Sequence, residues 1–243
     1  MTLIKIYWLI FCFVRGNSAM DKNKGLFRRQ MSDSIITATF IVLSGGFQDA
    51  YTYCCRGKVF ANAQTGNIVL MSAGLLSGDF SHSAKYLVPL LSFFAGIMAA
   101  ELVHRRFKNY EKIHWRQMIL AAEVLLLFVV GFLPQGFNAL ANAAVSFVCA
   151  LQVQTFHKLH GCVYASTMCI GNIRSGAEAL VAFFKTGERE ALEKSLMYFL
   201  VIALFALGAG FGSLAAAYIG ERSIWISCGL LLAGLITMFV REK

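Results

Sequence analysis

The sequence predicts an all-α, polytopic membrane helix bundle, and three observations carry that expectation. The composition is too apolar for a soluble domain, apolar runs of bilayer-crossing length recur along the chain, and the basic residues gather in short stretches between them. Of 243 residues, 58% are hydrophobic and 14% charged, and the mean hydropathy is +0.63. A soluble domain carries about 45–50% apolar and about 25% charged residues. Between Ser34 and Val103 the only charges are Asp49, Arg56, Lys58, Asp79, Lys85 and Glu101. The apolar runs are continuous rather than alternating, and a lipid-embedded backbone must satisfy its own hydrogen bonds, so helices rather than barrel strands are expected. The net charge of +9 does not point to nucleic acid. Lys22, Lys24, Arg28 and Arg29 precede the first apolar run, and Arg105, Arg106, Lys108, Lys112 and Arg116 share one short loop, the pattern of cytoplasm-facing membrane loops. An inner-membrane protein with a cytoplasmic N-terminus is expected, with the lipid bilayer as its first partner and no nucleic acid.

The elements run as follows. Residues 1–33 form a lead-in. Thr2–Val14 is apolar but too short to span and Asn17-Ser18-Ala19 is a poor cleavage site, so Met20 or Met31 is the expected start, with a short interfacial helix as the alternative. Eight apolar segments follow, at 34–55, 59–78, 86–103, 118–133, 139–159, 163–184, 194–219 and 222–240. Pro89 stands near the start of the third and Pro134 just past the end of the fourth, both positions where proline marks a helix boundary. The small-residue pairs Gly96-xxx-Ala100 and Gly208-xxx-Gly212 suit close helix packing, within one chain or in a homo-oligomer. The seven cysteines have no CxxC spacing and read as small buried hydrophobes rather than a disulfide framework.

An internal repeat divides the chain into membrane halves at 34–133 and 134–243. Gly57-Lys58-Val59-Phe60-Ala61 matches Gly161-Cys162-Val163-Tyr164-Ala165 at an offset of 104 residues. Gly66-Asn67-Ile68 matches Gly171-Asn172-Ile173 at 105, and Gln48 pairs with Gln152 at 104. If all eight segments crossed, the basic tail and the basic 104–117 loop would lie on opposite faces, against the charge rule. Segment 59–78 is polar in its first half, through Asn62, Gln64, Thr65 and Asn67. It is therefore expected as a re-entrant segment lining protein or water. Treating 163–184 alike leaves six full spans plus two re-entrant half-helices, with halves of inverted topology. Eight full spans in parallel repeats is the alternative.

Gly45-Gly46-Phe47-Gln48-Asp49-Ala50-Tyr51, Thr65-Gly66-Asn67 and Gly171-Asn172-Ile173-Arg174 make the chain resemble the YoaK-like family of bacterial membrane proteins from about Met31 to the C-terminus. The resemblance implies a multi-spanning inner-membrane protein of unassigned biochemical role, and it supplies no substrate. Ile170 stands where the resemblance leads one to expect threonine.

The site candidates are the polar residues inside the apolar runs. Asp49 within a span needs solvation or a partner, with Arg56 and Lys58 one or two turns on as candidates. Gly45 and Gly46 before it invite local unwinding that frees carbonyls. Asn67 and Asn172, as helix N-caps, would open two half-helices whose positive ends meet at mid-membrane and receive an anionic or carbonyl group. Gln48, Asn62, Thr65, Gly66, Gln152 and Gly171 accompany them. Arg174 and Glu178, one turn apart, read either as a cavity-facing pair or as a substrate contact. Glu123 in the fourth segment is a proton carrier or a partner to a neighbouring helix. Glu101-x-x-His104, Glu111-x-x-His114 and His157-x-x-His160 with Cys162 mimic metal spacings but read better as connector residues, so no metal, cofactor or enzymatic centre is expected. A transporter or permease of a small, anionic solute ranks first, a non-catalytic membrane scaffold or partner subunit second, and a membrane enzyme last. No nucleotide-binding Gly-x-x-x-x-Gly-Lys loop is present, so transport would be ion-driven or passive.

Overall fold

The computed structural model describes residues 35–108, 114–159, 162–164 and 166–239, and the expectations for 1–33, Glu111 and His160 lie outside them. Eight α-helices occur among the described residues: α1 (Ile35–Cys55), α2 (Gln64–Leu76), α3 (Phe80–Phe107), α4 (Trp115–Val130), α5 (Asn138–Thr155), α6 (Cys169–Thr186), α7 (Arg189–Ile219) and α8 (Ile224–Phe239). Each falls on one of the eight apolar segments. A two-residue antiparallel ladder, Lys158–Leu159 with Cys162–Val163, lies between α5 and α6.

Several helix starts differ from the sequence expectation. α3 begins at Phe80 rather than 86, because Asp79 caps it by accepting from the His82 N–H at 2.9 Å, so the polar Ser81–Lys85 stretch is helical. Pro89 consequently lies inside α3 instead of marking its start. α6 begins at Cys169, six residues after the apolar run opens at Val163.

Side-chain contacts give each helix a direction. α1 runs parallel to α7, with Leu43 against Gly208, Phe47 against Gly212, and the Cys55 thiol donating to the Ala216 carbonyl at 3.9 Å. α3 runs parallel to α5, with Gly96 against Phe147 and the Gln154 amide donating to Glu101 at 3.3 Å. α1 is antiparallel to α5: Gln152 donates to the Ile41 carbonyl at 2.7 Å and Asn142 to the Arg56 carbonyl at 2.8 Å. α4 is antiparallel to α8, through Gln117 to the Met238 carbonyl (3.3 Å) and Trp225 to the Phe128 carbonyl (3.1 Å). α2 packs on α3 and α6 on α7, each pair tied by a serine. Ser83 donates to the Met71 carbonyl at 3.1 Å and Ser195 to the Gly176 carbonyl at 2.9 Å.

The polarity is turned inside out relative to a water-soluble bundle. Gln48, Gln152, Glu123, Arg56 and Asn67 are fully buried, while Leu76, Phe80, Ile170, Phe184 and Phe211 lie exposed. An apolar exterior around a polar centre fits a lipid solvent. By length and composition, three helical stretches suffice to cross a membrane: Phe80–Phe107, Gln135–Thr155 and Arg189–Phe239, the last containing both α7 and α8. α2 has 13 residues, about 20 Å of helix, against a hydrocarbon core of about 30 Å.

Candidate functional site

α1 is an unbroken helix, so the expected unwinding at Gly45 and Gly46 does not occur. The two glycines admit neighbours instead. A Cβ on Gly46 would run into the Phe205 carbonyl of α7, and one on Gly45 would lie 2.7 Å from the Thr167 methyl and 3.4 Å from the Gln152 amide nitrogen. The close approach of a second backbone and of a loop therefore replaces the freed carbonyls.

After α1 the chain turns through two left-handed residues, Gly57 (φ 83°) and Lys58 (φ 65°), and doubles back along the helix it has just left. The Ala61 N–H donates to the Thr52 hydroxyl at 3.2 Å, the Asn62 N–H to the Asp49 carboxylate at 2.8 Å, and the Asn62 amide to the Gly45 carbonyl at 3.4 Å. Gly45 is the central residue of the 21-residue α1, so this segment has descended about half the helix before α2 starts at Gln64. Asp49 thus fixes the chain that doubles back along α1 and has not paired with Arg56 or Lys58. Arg56 is fully buried elsewhere, donating to the Tyr51 hydroxyl (2.8 Å), the Asn138 side chain (3.2 Å) and the carbonyls of Val130 (3.2 Å) and Pro134 (3.4 Å).

A second segment, ahead of α6, reaches the same level. Thr167 and the Ser166 carbonyl lie against Gly45, and α6 opens two residues later at Cys169, within electrostatic range of Asp49. The N-caps of α2 and α6 are Ala63 and Met168, and neither makes a side-chain cap hydrogen bond. The expected asparagine caps are therefore corrected. Asn67 sits inside the first turn of α2, donating to the Phe60 carbonyl at 2.8 Å and to Gln64 at 3.1 Å. Asn172 is buried one turn into α6. The positive ends of two helices nevertheless open at the level of Gly45 and Asp49.

α5 and α8 close the centre. The Cys149 thiol donates to Gln48 Oε1 at 3.0 Å, and the Gln48 amide donates to the hydroxyls of Ser44 (2.9 Å) and Ser227 (3.2 Å), themselves 2.7 Å apart. Among the described residues, Asn62 Oδ1, Gln152 Oε1, Ser166 Oγ and Thr167 Oγ1 are buried with no hydrogen-bond partner. Native interiors leave few such atoms unmatched, and here four lie around Gly45, against which the segments leading into α2 and α6 both pack.

Of the candidates read from sequence, Gln48, Asp49, Asn62 and Gln152 come together here. Thr65 and Gly171 are exposed on the outer surface, and neither Gly66 nor Gly171 has a neighbour that a Cβ would meet. Arg174 and Glu178 depart furthest from expectation. They pair with each other at 2.9 Å on the outer face of α6, with side chains 80% and 63% exposed, so neither faces the cavity shared with Asp49 that the sequence suggested. Helical phase is the cause: Asn172, Gly176 and Ala179 take the inward face of α6, which turns Arg174 and Glu178 outward. Glu178 lines a surface cleft of about 460 Å³ with Glu188, Glu190, Lys194 and Tyr198. The metal-like spacings are otherwise engaged. Glu101 accepts from Arg105 at 2.8 Å, and His157 Nδ1 lies 2.8 Å from the Gln154 carbonyl.

Sequence reasoning missed Ser44, Thr52, Cys149, Thr167 and Ser227. The sequence held a signal for two of them, since the offsets of 104 and 105 residues between its similar blocks pair Gly45 with Cys149 and Asn62 with Thr167.

No solved structure matches this chain. Over 210 residues, 82% of this chain and 91% of the other, it is 27% identical to a Bacillus subtilis (strain 168) protein described as UPF0700 transmembrane protein YoaK. The model of a family described as a protein of unknown function, DUF1275, matches residues 37–237, and the chain belongs to that family of transmembrane proteins.

Proposed function

We propose that the protein is a secondary transporter or permease of a small solute bearing a carboxylate or carbonyl group, bound where α2 and α6 begin. The observation that carries this assignment is the convergence of two re-entering segments on one level. Their helix N-termini and four unmatched buried atoms surround Gln48, Asp49 and Gln152. Broken elements meeting near the midplane are how inverted-repeat transporters build a site from helix dipoles and backbone.

A duplication of inverted sense, with six spans and α2 and α6 as half-helices, is supported by the packing. α1 on α7 is matched by α5 on α3, α2 on α3 by α6 on α7, and α1 on α8 by α5 on α4. At a common offset of 112 residues, buried Ser83, Tyr86, Gly96 and Ala100 of α3 match buried Ser195, Tyr198, Gly208 and Gly212 of α7. Ser83 and Ser195 donate to Met71 and Gly176, which match at 105. The counterparts α1 and α5 run antiparallel, as do α4 and α8, the sense that an axis in the membrane plane produces. α1 starts at the end of the bundle where α3 finishes with Arg105 and Arg106, an end that is cytoplasmic by the charge rule.

Two experiments test this assignment. A panel of small carboxylates, phosphates and amides is screened by thermal shift of the purified protein and by uptake into proteoliposomes. At least one compound should stabilise the wild type and lose that effect in Gln152→Ala. Silence across the panel in both assays sinks the transporter assignment. For the topology, Lys108→Cys in a cysteine-free background should resist impermeant thiol reagents in intact cells and react after permeabilisation, and labelling from outside would reverse the orientation.

A further inference from the structure

Glu123 is fully buried at the middle of α4, and among the described residues neither of its carboxylate oxygens meets a hydrogen-bond donor. An ionised carboxylate enclosed without a partner is not sustained in an apolar interior; the group takes up a proton instead. Even the neutral acid gains nothing structurally here, since its hydrogen-bonding atoms are unmatched and leucine would fill the position more favourably. Among the described residues no cationic group pairs with its carboxylate. Cys149 on α5 lies within electrostatic range of both Glu123 and Asp49, and Asp49 reaches it from α1. α8 brings Ser227 and Cys228, whose thiol donates to the Val124 carbonyl at 3.7 Å. α3 meets α4 near its start, where the His104 ring lies 4.5 Å from Trp115, and Arg116 is two turns before Glu123 on α4 itself.

The neighbours give the residue a position. α4 packs on α5, and Cys149 of α5, within electrostatic range of Glu123, donates its thiol to Gln48 Oε1 at 3.0 Å. Glu123 therefore adjoins the Gln48 cluster from the side of α4.

We propose that Glu123 is a proton-binding residue of the central site, holding one proton while the site is closed to water and exchanging it when the site opens. This rests on the transport assignment and adds that the coupling ion is a proton.

The test is infrared spectroscopy of the lipid-reconstituted protein at neutral pH. Wild type should show the carbonyl stretch of a protonated carboxylic acid, which shifts when the buffer is changed to D2O. Glu123→Gln should lose that band, and Asp49→Asn should retain it. Absence of the band, its survival in Glu123→Gln, or failure of the Glu123 band to shift in D2O each overturns the proposal, the last because it marks a proton that never exchanges. Glu123→Leu guards against a folding artefact. Its melting temperature should equal or exceed that of wild type, and a lower one would assign Glu123 a structural role instead. If no panel compound binds or moves in wild type, the transport assignment is lost while the infrared band still decides where the proton sits.

Discussion

Gly208→Leu should prevent stable assembly of the bundle, whereas Gly210→Leu, two residues along the same helix, should be tolerated. A Cβ on Gly208 would run into the Leu43 carbonyl and lie 2.9–3.0 Å from the Leu43 C and Cα atoms, while Gly210 has nothing within 4 Å. The obstruction is helix backbone, which cannot swing aside as a flexible side chain would. Overpacking a close contact costs about 1–3 kcal/mol even where side chains can move, and here α1 must separate from α7 along the seam that also contains Gly46 and Gly212. Without a hydrophobic force between helices in lipid, close packing of this kind supplies much of the association. Size-exclusion profiles and melting temperatures in detergent should show aggregation or loss of the folded peak for Gly208→Leu alone. Equal behaviour of the two variants would mean that α1 and α7 do not meet as described.

Arg56→Met should be the most damaging substitution of a charged residue, and Arg56→Lys should recover little. The guanidinium is fully buried and divides its donors among Tyr51, Asn138 and the carbonyls of Val130 and Pro134. Val130 is the last residue of α4, where carbonyls have no helical partner and a positive charge is favoured. Arg56 therefore ties the end of α1 to the end of α4 and the start of α5. Its charge also helps to hold the Glu221 carboxyl, in the connector after α7, below the usual carboxylate range, after the larger effects of a backbone N–H and the Gln135 amide. Leaving the buried Val130 carbonyl and the buried Tyr51 hydroxyl without their donor costs about 1–3 kcal/mol each, so a loss of about 3 kcal/mol or more is expected in denaturant or thermal unfolding. Lysine keeps the charge but cannot fork to four acceptors. A melting temperature within a degree or two of wild type for Arg56→Met would show that the acceptors find other donors.

The chain's own composition determined that it is a helical membrane protein. Apolar runs about the length of a bilayer core leave the backbone no partner but itself, and that constraint acts locally, residue by residue, before any tertiary contact forms. The eight helices therefore lie where the eight apolar segments do. Helix ends were less legible, as at Phe80 and Arg189, because polar first turns such as Ser81–Lys85 hide helix from a hydropathy pattern.

Which polar residues meet was decided by the tertiary structure. Gln48, Asp49, Asn62 and Gln152 converge because a chain reversal at Gly57 and Lys58 carries Asn62 back to the middle of α1, and because α5 crosses antiparallel to it. Arg174 and Glu178, equally prominent in the sequence, point outward because helical phase gives the inner face of α6 to Asn172, Gly176 and Ala179. Cys149 reads as an ordinary buried hydrophobe until Gln48 stands opposite as its acceptor. Hydropathy reports how much of a segment is buried, whereas the direction each side chain faces and the partner it meets depend on helix phase and crossing, which are set only when the helices pack.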